Sequence, residues 1–168
     1  MTPEQDFTTL EVLSIAIKSE IEAIKLYNRM KDLTKNEDLK SKLDFLIGQE
    51  KQHQQILTDA YKKKFPDVDL KLPPKSLVPI ISDVLSGDAS LKDLFDAAME
   101  AERKSEEFYR DLGERTRDSN SKSMLLYLAS MEHSHHAILD AEYRQLEINA
   151  DYNSEDFLKG ERLMNLGP

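Results

Sequence analysis

The chain has 168 residues, 33% of them charged, with a formal net charge of −9 and no cysteine. That length suits one domain able to bury roughly two thirds of its unfolded surface. The acidic balance excludes a nucleic-acid partner, which needs a basic face to displace counterions from phosphates, and the missing thiols exclude disulfides, Cys-x-x-Cys redox pairs and cysteine-held iron of the chain's own.

Apolar residues recurring three and four apart, with few glycines and prolines, predict an all-α protein. A first helix is expected near 8–33. It opens on Thr8-x-x-Glu11, a capping box in which hydroxyl and carboxylate satisfy backbone N–H groups that have no partner inside the helix. A second is expected near 36–64, and its closing Lys62, Lys63 and Lys64 read as cations complementing the helix C-terminus. Residues 65–89 hold Pro66, Pro73, Pro74 and Pro79 and cannot be one continuous helix; a short helix is expected around Pro79–Leu85. The third long helix, near 91–115, opens on a second capping box, Ser90-x-x-Asp93, and the fourth lies near 119–148. The bundle is expected to occupy 1–150, with 65–89 as its crossover. The remaining tail, 151–168, carries Phe157, Leu158, Leu163, Met164 and Leu166, which calls for docking on its own bundle or on a second subunit. Met1 to Leu10 lacks a basic n-region followed by an apolar stretch, and no run of ~18 uninterrupted apolar residues occurs, so a soluble cytoplasmic protein without a membrane partner is expected.

The chemistry sits in a repeat. Glu50-x-x-His53 and Glu132-x-x-His135 share one pattern, and each is preceded 30 residues upstream by a glutamate, Glu20 and Glu102. All six recur at a fixed offset of 82, together with Ala16 and Ala98, Tyr27 and Tyr109, Leu43 and Leu125, Leu46 and Leu128, Leu57 and Leu139, and the two capping boxes. This is the mark of a duplicated helical hairpin. Glu20 and Glu50 stand about equally far from the turn near Lys35, so an antiparallel hairpin sets both carboxylates at one height; Glu102 and Glu132 do the same about the turn near Arg117. Positions i and i+3 differ by ~300° of rotation and ~4.5 Å of rise, so each Glu and His pair projects from one helix face. Ala16, Ile24 and Tyr27 share the face of Glu20, and Leu46, Ile47 and Leu57 that of Glu50, which points both faces at the core.

Four carboxylates in an apolar core cannot all stay ionised unaided, because burial and mutual repulsion each raise their pKa values. Two divalent cations balance four carboxylates, and two neutral imidazoles complete the set without adding charge. Oxygen and nitrogen donors without thiolate suit Fe²⁺ or Mn²⁺, with Zn²⁺ or Co²⁺ as adventitious occupants. The histidines are expected to be oriented by further hydrogen-bond acceptors. His133 and His136 have Lys51 and Gln54 as counterparts, so the duplication selects His135 and leaves them solvated or merely adjacent. Glu22 and Glu106 correspond to Lys104 and Ile24 and are expected on the exposed surface; Met99 and Met131 read as core filler. Tyr27 and Tyr109, two turns past Glu20 and Glu102, are placed to hydrogen-bond a ligand carboxylate or donate an electron, or simply to pack.

These residues, Glu20 within AIKSEIEAIKLY, Glu50 and His53 within GQEKQH, Glu102 within AMEAERKSEEFY, and Glu132 and His135 within SMEHSH, resemble the rubrerythrin branch of the ferritin-like di-iron carboxylate proteins over 8–148. The resemblance implies a ferritin-like four-helix bundle of two hairpins joined by a long crossover. It implies two iron ions bridged by Glu50 and Glu132, one served also by Glu20 and His53 and the other by Glu102 and His135. The activity implied is reduction of hydrogen peroxide or dioxygen, fed by an external electron-donor protein, in a homodimer. Two departures bear on it. A full-length rubrerythrin carries a cysteine-ligated rubredoxin module, absent here, so electrons must come from outside. Ser105 stands where many members have an extra carboxylate one turn after the third-helix ligand, which removes the donor for redox-linked ligand exchange. The competing readings are a ferroxidase or iron-storage protein, which needs a closed shell, and a metal-free helical interaction module.

Overall fold

The computed structural model describes residues 9–74 and 76–153. Five helices follow in order: α1 (Thr9–Leu33), α2 (Glu37–Lys64), α3 (Ile80–Ser86), α4 (Leu91–Arg115) and α5 (Ser119–Ile148). Local chemistry sets several of the starts. The Asn36 side chain accepts from Leu39 N, Asp118 accepts from Ser121 N, and Ser90 and Asp93 form the predicted capping box. The Thr8 box lies outside the described residues. Lys62, Lys63 and Lys64 occupy the last turn of α2, as expected.

Side-chain pairs climb one helix as they descend its neighbour. Lys31 meets Asp44 between α1 and α2, Lys92 meets Glu147 between α4 and α5, and Tyr27 and Tyr109 meet Glu102 and Glu20 between α1 and α4. Adjacent long helices are therefore antiparallel, α2 and α4 run parallel, and the crossover must traverse the bundle's length. It does so along α1. The Tyr61 hydroxyl donates to the Asp69 carbonyl, Lys18 Nζ donates to the Pro73 and Pro74 carbonyls at 2.7 and 2.9 Å, and α3 then lies against α1 and α4 with Val78 and Ile81 buried. The crossover also covers Glu22. That carboxylate is only 9% exposed, pairs with Lys18 and accepts from Ser76, so its expected surface placement is wrong; the strap that buries it comes from a part of the chain with no repeat counterpart. Glu106 is likewise half-buried, held by Arg110 and His133.

Two apolar clusters form the core. One holds Leu26, Tyr27, Leu43, Leu46, Phe95 and Leu139, the other Ile17, Leu57, Tyr109, Leu125 and Leu128. Repeat equivalents exchange clusters: Leu46 lies in the first and Leu128 in the second, Leu139 in the first and Leu57 in the second. The duplicated hairpins are thus related by an approximate two-fold axis between the clusters, where the polar residues meet. Of the tail, Tyr152 and Asn153 dock on the bundle's own end. The Tyr152 hydroxyl donates to Glu142 at 2.7 Å, its carbonyl accepts from Asn36, and Asn153 Oδ1 accepts from Thr34 Oγ1 and Lys35 N. The apolar residues 157–166 lie outside the described residues.

Candidate metal centre

The structure brings all six predicted residues together, none more than 2% exposed: Glu20 from α1, Glu50 and His53 from α2, Glu102 from α4, and Glu132 and His135 from α5. Their donor atoms form two groups, each within 4.8 Å: Glu20, Glu50, His53 and Glu132, and Glu50, Glu102, Glu132 and His135. Glu50 and Glu132 belong to both. Each spans the α2–α5 seam with one oxygen per imidazole. Glu50 sets Oε2 3.2 Å from His53 Nδ1 and Oε1 2.8 Å from His135 Nδ1; Glu132 sets Oε1 3.0 Å from His53 Nδ1 and Oε2 3.5 Å from His135 Nδ1. Glu20 and Glu102 lie further out, their Oε2 atoms 3.7 Å from His53 Nδ1 and 3.6 Å from His135 Nδ1. The imidazoles stack, centroids 5.4 Å apart at 17°.

The predicted tyrosines are part of this arrangement, and they cross over. Tyr27 on α1 donates to Glu102 Oε1 on α4, and Tyr109 on α4 donates to Glu20 Oε1 on α1. Each phenol therefore grips the outer carboxylate of the other hairpin. His133 stays outside, exposed, 3.1 Å from Glu106, and half-buried His136 joins neither group. Met99 packs partly buried against the core. Ser105 is buried with its hydroxyl 3.1 Å from Ser19 Oγ across the α1–α4 contact, so it supplies helix packing where a carboxylate would otherwise stand.

Electrostatics divide the four carboxylates. Burial first, then the charge on Glu132, raises Glu20 and Glu102 well above the ordinary 4.5 and so favours their neutral forms. Burial works the same way on Glu50 and Glu132, but hydrogen bonds outweigh it, chiefly from His135 and His53 at Glu50 and from Glu102 and His135 at Glu132, and both are held below that value. Burial would lower the imidazoles, yet their carboxylate partners push each up to about 12. Burial, then Glu20, keeps the Tyr109 phenol protonated and hence a donor.

The donor set fits a pair of hard-to-borderline divalent cations. Glu50 Oε1, Glu102 Oε2, Glu132 Oε1 and His135 Nδ1 are buried without a well-aligned hydrogen-bond partner among the described residues, and all belong to the two groups. An unmatched buried polar group costs about 1–3 kcal/mol, so a core that collects four at one point calls for something that binds them. His53 Nε2 and His135 Nε2 are also buried without a partner among the described residues; the acceptors expected to orient the rings are not there, and stacking and the flanking clusters position them instead. One polar group went unforeseen. Lys42 bridges Asp38 and Glu142, and Glu142 receives Tyr152; Lys42 and Glu142 have Met124 and Ala60 as counterparts, so no repeat signal marks them.

Comparison with known proteins agrees with the geometry. The rubrerythrin family profile matches residues 11–143, which contain both Glu-x-x-His motifs and both upstream glutamates. Among solved structures, "Hypothetical Protein Pfu-1136390-001 From Pyrococcus furiosus" is similar, with 31% identity, a TM-score of 0.73, and coverage of 86% of this chain and 93% of that one. No curated protein matches the chain significantly. With the profile spanning four long helices and the buried Glu and His cluster, this chain belongs to the rubrerythrin family.

Proposed function

We propose that the chain is a non-haem di-iron oxidoreductase that reduces hydrogen peroxide or dioxygen with electrons from a separate donor protein. The observation that supports this reading is the pair of overlapping four-residue groups sharing Glu50 and Glu132, whose buried donors could hold two cations side by side. A pair of ferrous ions held there supplies one electron each, enough with two protons to take H₂O₂ to two waters. The chain's own residues hold, orient and exclude water. Glu50 and Glu132 offer one oxygen to each position, and His53 and His135 present Nδ1 to one position each. The apolar clusters on either side keep bulk solvent away. Without cysteine the chain has no thiol relay, which supports an external reductant. Among the described residues no helix is long and apolar enough to cross a membrane.

Anaerobic Fe²⁺ loading followed by stopped-flow oxidation with H₂O₂ and O₂ in parallel tests the reading. Oxidation of two irons per chain, with peroxide faster by orders of magnitude, supports a peroxidase; equally slow rates remove it. The working unit is proposed to be a homodimer. A closed multi-subunit shell in sedimentation would favour iron storage instead.

A further inference from the structure

Among the described residues, the large apolar side chains left exposed outside the crossover are Phe45 on α2 and Leu126, Tyr127 and Ile148 on α5; none lies on α1 or α4. Helical spacing places Tyr127 on a stripe that runs along α5 through Ser123, Ser130, Ser134, Ala141 and Gln145, every one exposed and none charged. The chain as a whole is 33% charged, so a bare stripe of this length stands out. The charges of α5 keep to another side. Lys122, Asp140, Arg144 and Glu147 fall by their spacing on the stripe of His133, which meets Glu106 on α4, and Glu142 turns to Lys42 on α2. Phe45, the repeat counterpart of Tyr127, stands three residues after Lys42 and so borders the same α2–α5 side; it is 54% exposed. The hydroxyls of the face make little demand on water, since Ser130 donates to the Tyr127 carbonyl at 2.7 Å and Ser134 to the Ser130 carbonyl at 3.0 Å.

We infer that this outer face of α5, flanked by Phe45, is where a second copy of the chain docks, α5 against α5 about a two-fold axis at Ser134. The inference rests on the homodimer proposed above and names its contact. Charge selects the occupant. Two copies carrying −9 each repel wherever their charged sides meet, and this stripe lets two helices approach with no like-charge pair between them. Charge is depleted and aromatic side chains are enriched where protein chains pack on one another. A donor protein that leaves after each electron transfer is steered to its target by charge, which this face does not offer. Symmetry then fixes the register. A two-fold contact presents one patch from both copies, and the midpoint of the stripe between Ser123 and Gln145 is Ser134. An antiparallel pair centred there sets Tyr127, seven residues before the midpoint, opposite Ala141 of the second copy, seven residues after it, so a ring meets a methyl group and not its own counterpart. Ser134 directly precedes His135, so the contact also lays a second layer of protein over the α5 wall of the metal centre.

Sedimentation equilibrium compares the wild type with Ala141→Glu and with Lys25→Glu, a charge reversal at an exposed position of α1, each checked for helicity by circular dichroism. The wild type should sediment at twice the 19.3 kDa chain mass. Ala141→Glu should weaken the dimer at least about a hundredfold, because the contact would bury two unpaired carboxylates, and Lys25→Glu should leave it intact. The chain has no cysteine, so in Ser134→Cys the introduced thiol is the only one a short bis-maleimide can join. It should link two chains, whereas the thiols of Ser123→Cys, ~33 Å apart along the helix axes, should not be linked. A wild-type dimer that Ala141→Glu leaves unchanged, or that Ser134→Cys fails to cross-link, overturns the inference and leaves the homodimer standing. Equal weakening by Lys25→Glu also overturns it, since overall repulsion and not burial would then be responsible. A wild type that stays monomeric overturns the contact and the homodimer together, and two Co²⁺ per chain in that monomer keeps the di-metal reading.

Discussion

Loading the centre should release about four protons for each pair of divalent ions near pH 6. Without cations, His53 and His135 are pushed up to about 12 and carry two positive charges, while Glu50 and Glu132, held low, carry two negative ones. Burial and the charge on Glu132 favour the neutral forms of Glu20 and Glu102. The buried cluster therefore sums to zero. With two cations bound it sums to zero again only if all four carboxylates are ionised and both imidazoles neutral, so two carboxyl and two imidazolium protons must leave. Each proton displaced adds about 1.4 kcal/mol to binding per pH unit, which makes roughly 5 kcal/mol per unit for the pair of ions while all four groups are protonated. The sign follows from the free site. Its protonated groups compete with cations at low pH, so affinity rises with pH, first steeply and then with half the slope once Glu20 and Glu102 have lost their protons; the imidazoles keep the dependence alive through the neutral range. Calorimetric titration of the metal-free protein with Co²⁺ in buffers of different ionisation enthalpy counts the protons. Release of one proton or none per two ions, or affinity that falls as pH rises, refutes this account of the site.

The cluster's contribution to the stability of the metal-free protein should peak near pH 4.5 and fall on either side, more steeply above about pH 6.5. Glu20 and Glu102, raised above 4.5, and the two histidines, raised above 6.5, contribute stability that is full below those values and lost as pH climbs. Glu50 and Glu132 contribute above 4.5 and lose it on acidification. Urea midpoints that rise steadily into alkaline pH would contradict this. Glu50→Ala should abolish both ions and His53→Ala one, since Glu50 belongs to both donor groups and His53 to a single group; metal content per folded chain, with helicity checked by circular dichroism, decides, and two ions retained in Glu50→Ala would remove the shared-ligand assignment. Tyr152→Phe leaves Glu142 Oε2 without its buried donor. The cost should be about 1–3 kcal/mol, a melting temperature lower by roughly 5 °C, with metal content unchanged. A variant that melts like the wild type would show that the tail's first residues do not anchor the bundle's end.

The site was legible because duplication marks it. A lone Glu-x-x-His carries little, but Glu50 and His53 recur at Glu132 and His135 with Glu20 and Glu102 at matching distances, and an offset of 82 shared with core leucines cannot come from solvated faces. Residues without counterparts were harder to read. Glu22 was expected at the surface because its counterpart is Lys104, yet the proline-rich crossover buries it through Lys18 and Ser76, contacts 54 to 56 residues distant in sequence. The acceptors expected behind the histidines do not exist among the described residues, because neighbouring packing, which helical periodicity does not encode, already restrains both rings.

Periodicity, capping residues and the repeat were enough, with no coordinates, to determine four long helices, the two hairpins and the six polar residues on their inward faces. Those properties are local or recur along the chain, and a helix of fixed pitch converts spacing into direction. Which hairpin each tyrosine serves was decided only by the tertiary structure. Tyr27 reaches Glu102 and Tyr109 reaches Glu20 because α1 and α4 pack antiparallel across the two-fold axis, and that pairing depends on how the hairpins dock. The same docking divides six donors into two groups with Glu50 and Glu132 in common, since a shared carboxylate requires distances across the α2–α5 seam that no spacing along one helix contains.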